Sequence, residues 1–397
     1  MLRDTIHGLA KKHHQQIIAI RRHLHMHPEL SFGEAQTARY VQDVLKRIGI
    51  PFTTGWAGYG IVGILECQNP DHAVIALRAD MDALPIQELN EVSYKSQHPG
   101  IMHACGHDVH TSSLLGAAMI LSELSSKISG TIKFIFQPAE EKLPGGAALM
   151  ISEGVLKNPG PTGILGQHVH PALPVGTVGF GSGQAMASSD EITIRIIGKG
   201  GHGAMPHHAV DPVAISAHVI SALQSVISRM ADPTVPSVLT FGKISSEAGT
   251  YNIIPDSVLI FGTFRTFNED WRITAHEKIR AMVHGITSGM GGTGKVDIQK
   301  GYPVLINDPD MTLRCRESAC EYLGNAHVHD IPQRLTSEDF AYYTHHIPGC
   351  FYRLGVSNSN KGITSPVHTP TFDIDEDALE TGSGLMAWLA VSELHHG

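Results

Sequence analysis

Apolar residues recur at helical spacing over residues 15–25 and again over 35–48, where GEAQTARYVQDVLKRIG closes at Gly49, so two amphipathic helices are expected near the start of the chain. Short apolar runs with polar or glycine-rich borders then take over. IVGILE (61–66), AVIALRADMDALP (73–85) and GTIKFIFQPAEE (130–141) have the length and borders of strands, and TSSLLGAAMILSEL (111–124) reads as a buried helix between the last two. Strands alternating with helices predict an α/β fold built on a central parallel or mixed sheet flanked by helices.

The texture changes near residue 188. DEITIRIIGKGGHG supplies a strand, residues 211–230 a helix, SVLTFGKI and SVLIFGTFRTF two strands, residues 269–290 a helix, and GKVDIQKGYP a last strand. This β-α-β-β-α-β order describes a small two-layer α+β unit of about a hundred residues, a domain-sized insertion. The expected organisation is an inserted domain at 188–295 that interrupts a first domain made of residues 1–187 and 296–397, with no internal repeat or low-complexity tail.

A chain of 397 residues exceeds what one hydrophobic core usually serves, which agrees with two domains. With 42% hydrophobic and 17% charged residues it reads as a folded globular chain. The net charge of -9, with no basic run, argues against a nucleic-acid partner. The N-terminal stretch mixes apolar residues with Lys, Arg and His instead of forming a signal core, so neither secretion nor a membrane partner is expected. Five cysteines, at 67, 105, 315, 320 and 350, form no disulfide framework, and the odd count fits a reducing compartment; a cytoplasmic location is expected.

Reactive side chains gather where apolar runs end. Asp80 and Asp82 follow VIALRA, at the edge where open α/β sheets form ligand crevices, although acids in an ordinary turn would look the same. Glu140 and Glu141 appear just after Pro138 halts another run, and adjacent carboxylates that lose hydration invite a cation. His168 and His170 lie beyond a third run, and His368 sits between prolines in SPVHTP. IMHACGHDVHTSS adds His103, Cys105, His107, Asp108 and His110, although 26 histidines in the chain weaken any single one as a signal. Cys105, His107, Glu140, Glu141, His168 and His368 make a mixed N/O/S donor set suited to zinc or another first-row divalent ion. Two other readings stand beside it at this point: structural histidines, and a Cys105 thiolate with His107 as its base. The second leaves the Glu140–Glu141 pair without a purpose.

The ordered segments RADMDALP, MHACGHDVHTSSLLGAA, QPAEE, GQHVHPALPVG, GKGGHGAMPH, SEDFAYY and VHTPTFDIDEDAL resemble the M20 metallopeptidase family, and within it the amidohydrolase branch of N-acyl-amino-acid amidohydrolases, hippurate hydrolases and auxin-conjugate hydrolases. The likeness runs through essentially the whole chain. It implies a catalytic α/β domain interrupted by a satellite domain that is often used for dimerisation. It also implies Cys105, His107, Glu141, His168 and His368 as ligands of one or two divalent ions per subunit, zinc first and manganese, cobalt or nickel as alternatives. Glu140 would be the general base, and Asp80 an acid supporting the metal-binding segment. Asp108 would be structural or outside the ligand set. On the satellite side the resemblance singles out His202, in cis or across a dimer, and Asn252 and Arg265 as polar contacts for substrate. Glu338 and Asp339 would shape the pocket, although a helix cap by Ser337 accounts for much of SEDF.

The activity implied is hydrolysis of the amide of a small N-acyl amino acid by a homodimer or larger homo-oligomer. A dipeptidase or carboxypeptidase with the same chemistry, or a noncatalytic metal-dependent binding protein, are the competing readings.

Overall fold

The computed structural model describes residues 2–246 and 248–396. The chain divides into two compact units, one comprising Met1–Ala185, Ile306–Pro332 and Asp339–Gly397, the other Met186–Leu305 and Gln333–Glu338.

The first unit is a mixed sheet between helices. Its N-terminal helices are α1 (Leu2–Met26) and α2 (Ala35–Arg47), and Gly49, at φ 77°, ends the second with its amide on the Lys46 carbonyl. α1 turns one stripe inward, through Ile6, Ala10, Ile17, Ile20 and Leu24, and extends well before the residue 15 start expected from periodicity. Strands β1 (Phe52–Trp56), β2 (Gly60–Glu66), β3 (Val74–Asp80), β4 (Thr131–Gln137), β5 (Gly163–Pro174) and β6 (Val178–Phe180) join strands Val328–Asp330 and Gly349–Ser357 in one eight-stranded sheet. The order is β1-β2-β4-β3-β5, then Gly349–Ser357, β6 and Val328–Asp330. β1, β2 and β4 pair antiparallel, whereas β3 runs parallel to both β4 and β5.

The apolar runs reflect this topology. Every residue of β4 is buried, as is all of β3 after Val74, because central strands covered on both faces have no need of alternation. α3 (His107–Leu124) and the C-terminal helix Ala378–Leu394 share one core with α1 and the sheet, through Leu114, Leu121, Leu385 and Leu389 among others. α3 is buried nearly all round and begins at His107, four residues before the start its apolar pattern marks, and a short helix, α4 (Gly146–Ser152), follows β4. Because β3, β4 and β5 are parallel, residues following β3 and β4 emerge at one edge. The β3–β5 register pairs Arg78 with Gly166, so Asp80 and His168 lie level two residues further along.

The second unit is a four-stranded antiparallel sheet in the order Ser237–Ser246, Ser257–Thr266, Asp190–Ile197, Thr293–Lys300. Here the strands do alternate: Ile192, Ile194 and Ile196 face helices α5 (Pro212–Ser225) and α6 (Glu269–Gly289), meeting Ile215, Val219, Ala275 and Ile279. Asp211 and Asn268 cap the two helices through their side-chain oxygens. Strand Thr293–Lys300 pairs along its length with Asp190–Ile197, so the unit continues past residue 295. α5 with the turn that follows, Pro212–Met230, is by length and composition apolar enough to cross a membrane, but one face of it forms this unit's core.

Candidate metal centre

Two buried acids leave β3 with different partners. Asp80, its last residue, accepts from Arg78 Nη1 and from His110 Nδ1, both at 2.6 Å. The Val169 amide donates to His110 Nε2 at 2.9 Å, so both nitrogens of that ring are engaged and His110 is a strut, not a ligand. Asp82 lies just beyond the strand. Its Oδ1 accepts from His107 Nδ1 (3.2 Å) and the Glu140 amide (3.0 Å), and its Oδ2 from Ser31 Oγ (2.6 Å) and the Glu141 amide (2.9 Å). Burial works against the Asp82 charge, but the His107 hydrogen bond leads a set of donors that holds its carboxyl below the usual carboxylate range.

The Glu140–Glu141 pair owes its position to the turn after β4. Pro138 ends the ladder, and Ala139 takes a left-handed φ of 54°, a conformation residues with a Cβ disfavour by about 1–2 kcal/mol. The turn closes on Gly146, where a Cβ would collide with the Pro138 carbonyl oxygen. Asp339 braces the same region from the interior: its carboxylate accepts from Arg78 Nη2 (2.7 Å), the Gln137 side-chain amide (2.7 Å) and the Ala147 amide (3.0 Å).

Around these carboxylates the sequence candidates converge. Donor atoms of Cys105, His107 and His168 lie within 4.8 Å of one another, as do those of Cys105, Glu141 and His368, and those of His107, Glu140 and Glu141. Cys105 and His107 flank Gly106, whose φ of 82° suits glycine and whose Cβ position would lie 2.6 Å from the Val169 side chain. His368, at φ 63°, is anchored by its amide on the Ala104 carbonyl at 2.7 Å. Its Nε2 stands 3.3 Å from both Cys105 Sγ and Glu141 Oε1.

The hydrogen bonds set the ring tautomers in favour of metal binding. His168 Nδ1 donates to the Val169 carbonyl at 2.8 Å, leaving the Nε2 lone pair 3.6 Å from Cys105 Sγ. His107 Nδ1 donates to Asp82, and its buried Nε2, which makes no hydrogen bond, stands 3.8 Å from Asp80 Oδ2 and 3.9 Å from Glu141 Oε1. Burial works against a charge on the ring, but Asp80 and Cys105 outweigh it and raise the imidazole well above its ordinary value, a pull on the proton that a metal ion can take over. A carboxylate-bound imidazole presenting its other nitrogen is the usual arrangement behind a metal ligand. Contacts with Cys105 and Glu141 push His368 up to about 10, and that attraction for a proton is the attraction a cation would feel. Burial and the Glu141 charge raise the Cys105 thiol, and burial depresses His168. Thiolate, imidazole and carboxylate donors fit one or two divalent ions, and the cluster meets the requirements of a dinuclear site.

His103 is buried, with both ring nitrogens lacking a hydrogen bond, and burial drives it down to about 4. Asp108 lies behind the ligands, bonded at 2.8 Å to both Arg21 and His25.

The remaining candidates belong to the second unit. His202 is exposed and pairs with Ile253 in a two-stranded ladder; the Ala204 amide donates to its Nδ1 at 3.1 Å, which puts the proton of the neutral ring on Nε2. The Gly203 amide bonds the Asn252 carbonyl at 2.8 Å, so Asn252 adjoins the end of the short ladder that holds His202. Arg265 is half-buried and gives one hydrogen bond to Ser337 Oγ at 3.1 Å.

Sequence reasoning passed over Asp82 in favour of Asp80. Its one available signal was position: it is the acid that falls outside the strand, where turn amides and ring N–H groups are within reach.

The model of peptidase family M20/M25/M40 matches residues 76–391. The chain is 44% identical over 308 residues (77% of it and 82% of the relative) to an N-acyl-L-amino acid amidohydrolase of Geobacillus stearothermophilus. It is 38% identical over 379 residues (94% of each chain) to thermostable carboxypeptidase 2 of Saccharolobus solfataricus. Its fold superimposes on a Bacillus subtilis dinuclear metal binding peptidase of the M20 family with TM-score 0.83 and 35% identity, covering 97% of this chain and 99% of the other.

Proposed function

The chain belongs to peptidase family M20/M25/M40 and is a metal-dependent hydrolase; from that premise we propose that it hydrolyses the amide of small N-acyl amino acids, with Glu140 as general base. One observation carries the reading: Glu140 is buried beside His107 and Glu141, with its backbone fixed by Asp82. Zinc is the expected ion, from the Cys105 and imidazole donors, held by Cys105, His107, Glu141, His168 and His368. The bound ion supplies Lewis acidity toward water and the scissile carbonyl. Glu140 takes the proton of the attacking water and returns it to the leaving amine. His202 donates from Nε2 to the developing oxyanion, and Arg265 or Asn252 receives the carboxylate of the amino-acid half. The second unit is also the proposed homodimer surface: α5 leaves Val213 47% exposed, on the side away from its core.

The N-acyl specificity is supported by the 44% identity to the Geobacillus enzyme. Carboxypeptidase action is the second reading, favoured by the likeness to the Saccharolobus protein. The zinc-loaded protein is to be assayed against N-acetyl amino acids, N-benzoyl amino acids and N-blocked dipeptides, before and after chelation. Activity on acyl amino acids that is lost with chelator, restored by zinc and abolished in Glu140→Gln supports the proposal. Turnover confined to dipeptides favours the second reading, and wild-type turnover by Glu140→Gln refutes the base.

A further inference from the structure

The loop ahead of α2 reaches beneath the Glu140–Glu141 turn at two points. Ser31 Oγ bonds Asp82, and Glu34 Oε1 accepts the Ala139 amide at 2.8 Å. An acid beside a helix start is ordinarily explained by its attraction to the free amides there. Here that duty falls to Glu29, which accepts the amides of Gln36 (2.9 Å) and Thr37 (2.8 Å), while the Glu34 side chain is fully buried and makes no cap bond. The requirements of α2 therefore do not explain Glu34.

What it touches does. Three consecutive amides, those of Ala139, Glu140 and Glu141, each meet a buried carboxylate oxygen: Glu34 for the first, Asp82 for the other two. Successive amides of a turn that contains a left-handed residue converge in this way on anionic groups. The left-handed Ala139 is tied at both ends, by its amide to Glu34 and by its carbonyl to the Gly146 amide at 2.9 Å. The other oxygen, Glu34 Oε2, is buried and makes no hydrogen bond; the backbone of Glu34 itself and of Phe32 also bears on the carboxyl, and Ala139 is its link to this turn. Burial and the neighbouring Asp82 charge push Glu34 up to about 7, so a neutral isostere should be tolerated in its place.

We propose that Glu34 is a positioning residue of the hydrolytic site, holding the Ala139 amide and thereby the turn that places Glu140 and Glu141. The proposal rests on Glu140 and Glu141 acting as base and ligand.

The test compares Glu34→Ala, Glu34→Gln and the core variant Val391→Ala, chosen for comparable loss of melting temperature. Zinc affinity is measured by chelator competition, and kcat and KM on the best-cleaved N-acetyl amino acid. Glu34→Ala should lower kcat by about 10–100-fold with little change in KM and weaken zinc about 10-fold. Glu34→Gln, which keeps an acceptor oxygen, should return both to within about threefold of wild type, and Val391→Ala should leave both unchanged. If Glu34→Ala does not fold, Glu34→Asp, with a shorter reach, must show the same losses. The proposal is overturned if Glu34→Ala, or Glu34→Asp in its place, keeps wild-type kcat and zinc affinity, if Val391→Ala shows the same losses, or if Glu34→Gln rescues nothing. Glu140→Gln is assayed alongside: wild-type turnover there removes the base assignment, while the zinc measurement still decides whether Glu34 holds Glu141 in place.

Discussion

Replacing Asp82 by Asn keeps the shape of a fully buried side chain and removes its charge and one of its two acceptor oxygens. Four donors converge on it: His107 Nδ1, Ser31 Oγ and the amides of Glu140 and Glu141. The Asn amide nitrogen fits best on the Oδ2 side, where the Ser31 hydroxyl can rotate and accept. The Glu141 N–H then faces another donor and goes unsatisfied, at a cost of about 1–3 kcal/mol. The bonds from Glu140 N and His107 Nδ1 fall from charge-assisted to neutral, about 1 kcal/mol each. Relief from burying a charge offsets part of this, leaving a net loss of about 3 kcal/mol, or about 6–12 °C in melting temperature. With His107 and Glu141 less firmly held, zinc affinity should fall about 10–100-fold. Thermal melts of the metal-free protein and chelator competition measure the two effects, with the exposed Asp71→Asn as control. The sign with pH is set because the folded-state value lies below the ordinary 3.8: the stabilisation is present above that pH and is lost as pH falls through the lower folded value. An Asp82→Asn protein that melts with wild type and binds zinc equally well would refute the assignment of Asp82 as the brace of the site.

Three further outcomes are expected. In His25, burial and Arg21 depress the imidazole, but the Asp108 charge and hydrogen bonds to Asp108 and Glu88 outweigh them and raise it above 6.5. Its stabilisation is therefore full below pH 6.5 and lost as pH rises through the folded value, so the melting gap between wild type and His25→Gln should shrink from pH 5.5 to 9; a gap that widens contradicts this. Lys133, buried in β4, donates to the carbonyls of Val155 (2.9 Å), Lys157 (2.9 Å) and Pro159 (2.7 Å). Lys133→Met should cost about 3 kcal/mol and speed hydrogen exchange across residues 155–160, and unchanged exchange there would count against the ammonium as the loop's anchor. In the second unit, Arg272 bonds Asp190 at 2.6 and 2.9 Å, and His276 adds a bond to the same carboxylate at 2.7 Å. Arg272→Met strands a buried charge and should destabilise that unit by about 3–5 kcal/mol with zinc affinity unaltered, read by calorimetry and chelator competition; no calorimetric shift would mean that the pair contributes nothing.

The hydrophobic pattern was informative wherever burial is apolar and stopped being so where burial is polar. β3 and β4 stand out because strands covered on both faces must be continuous apolar runs, and their ends located Asp80, Glu140 and Glu141. The satellite order was legible for the complementary reason: its strands bury one face and alternate. The start of α3 was missed because His107, Asp108 and His110 are buried against acids and rings instead of hydrocarbon, which leaves no apolar period to read. The histidines of that turn look alike in sequence, yet His110 is held by hydrogen bonds at both nitrogens and His107 at one, so its Nε2 remains available as a ligand atom. Asp80 and Asp82 differ in the same manner. Two residues apart, they share a side of an extended chain, and spacing cannot rank them. Arg78, arriving from the same strand, occupies Asp80, whereas Asp82 lies past the last ladder residue, where the turn amides converge. Glu34 was hidden by a misleading local reason, since an acid ahead of a helix already has an ordinary explanation until Glu29 is seen to perform the cap. Motif spacing thus finds the residues that leave the sheet together, and which of them is a ligand, a strut or a brace is decided largely by partners that spacing cannot relate, such as His107 for Asp82, 25 positions on, and Ala139 for Glu34, 105 positions on.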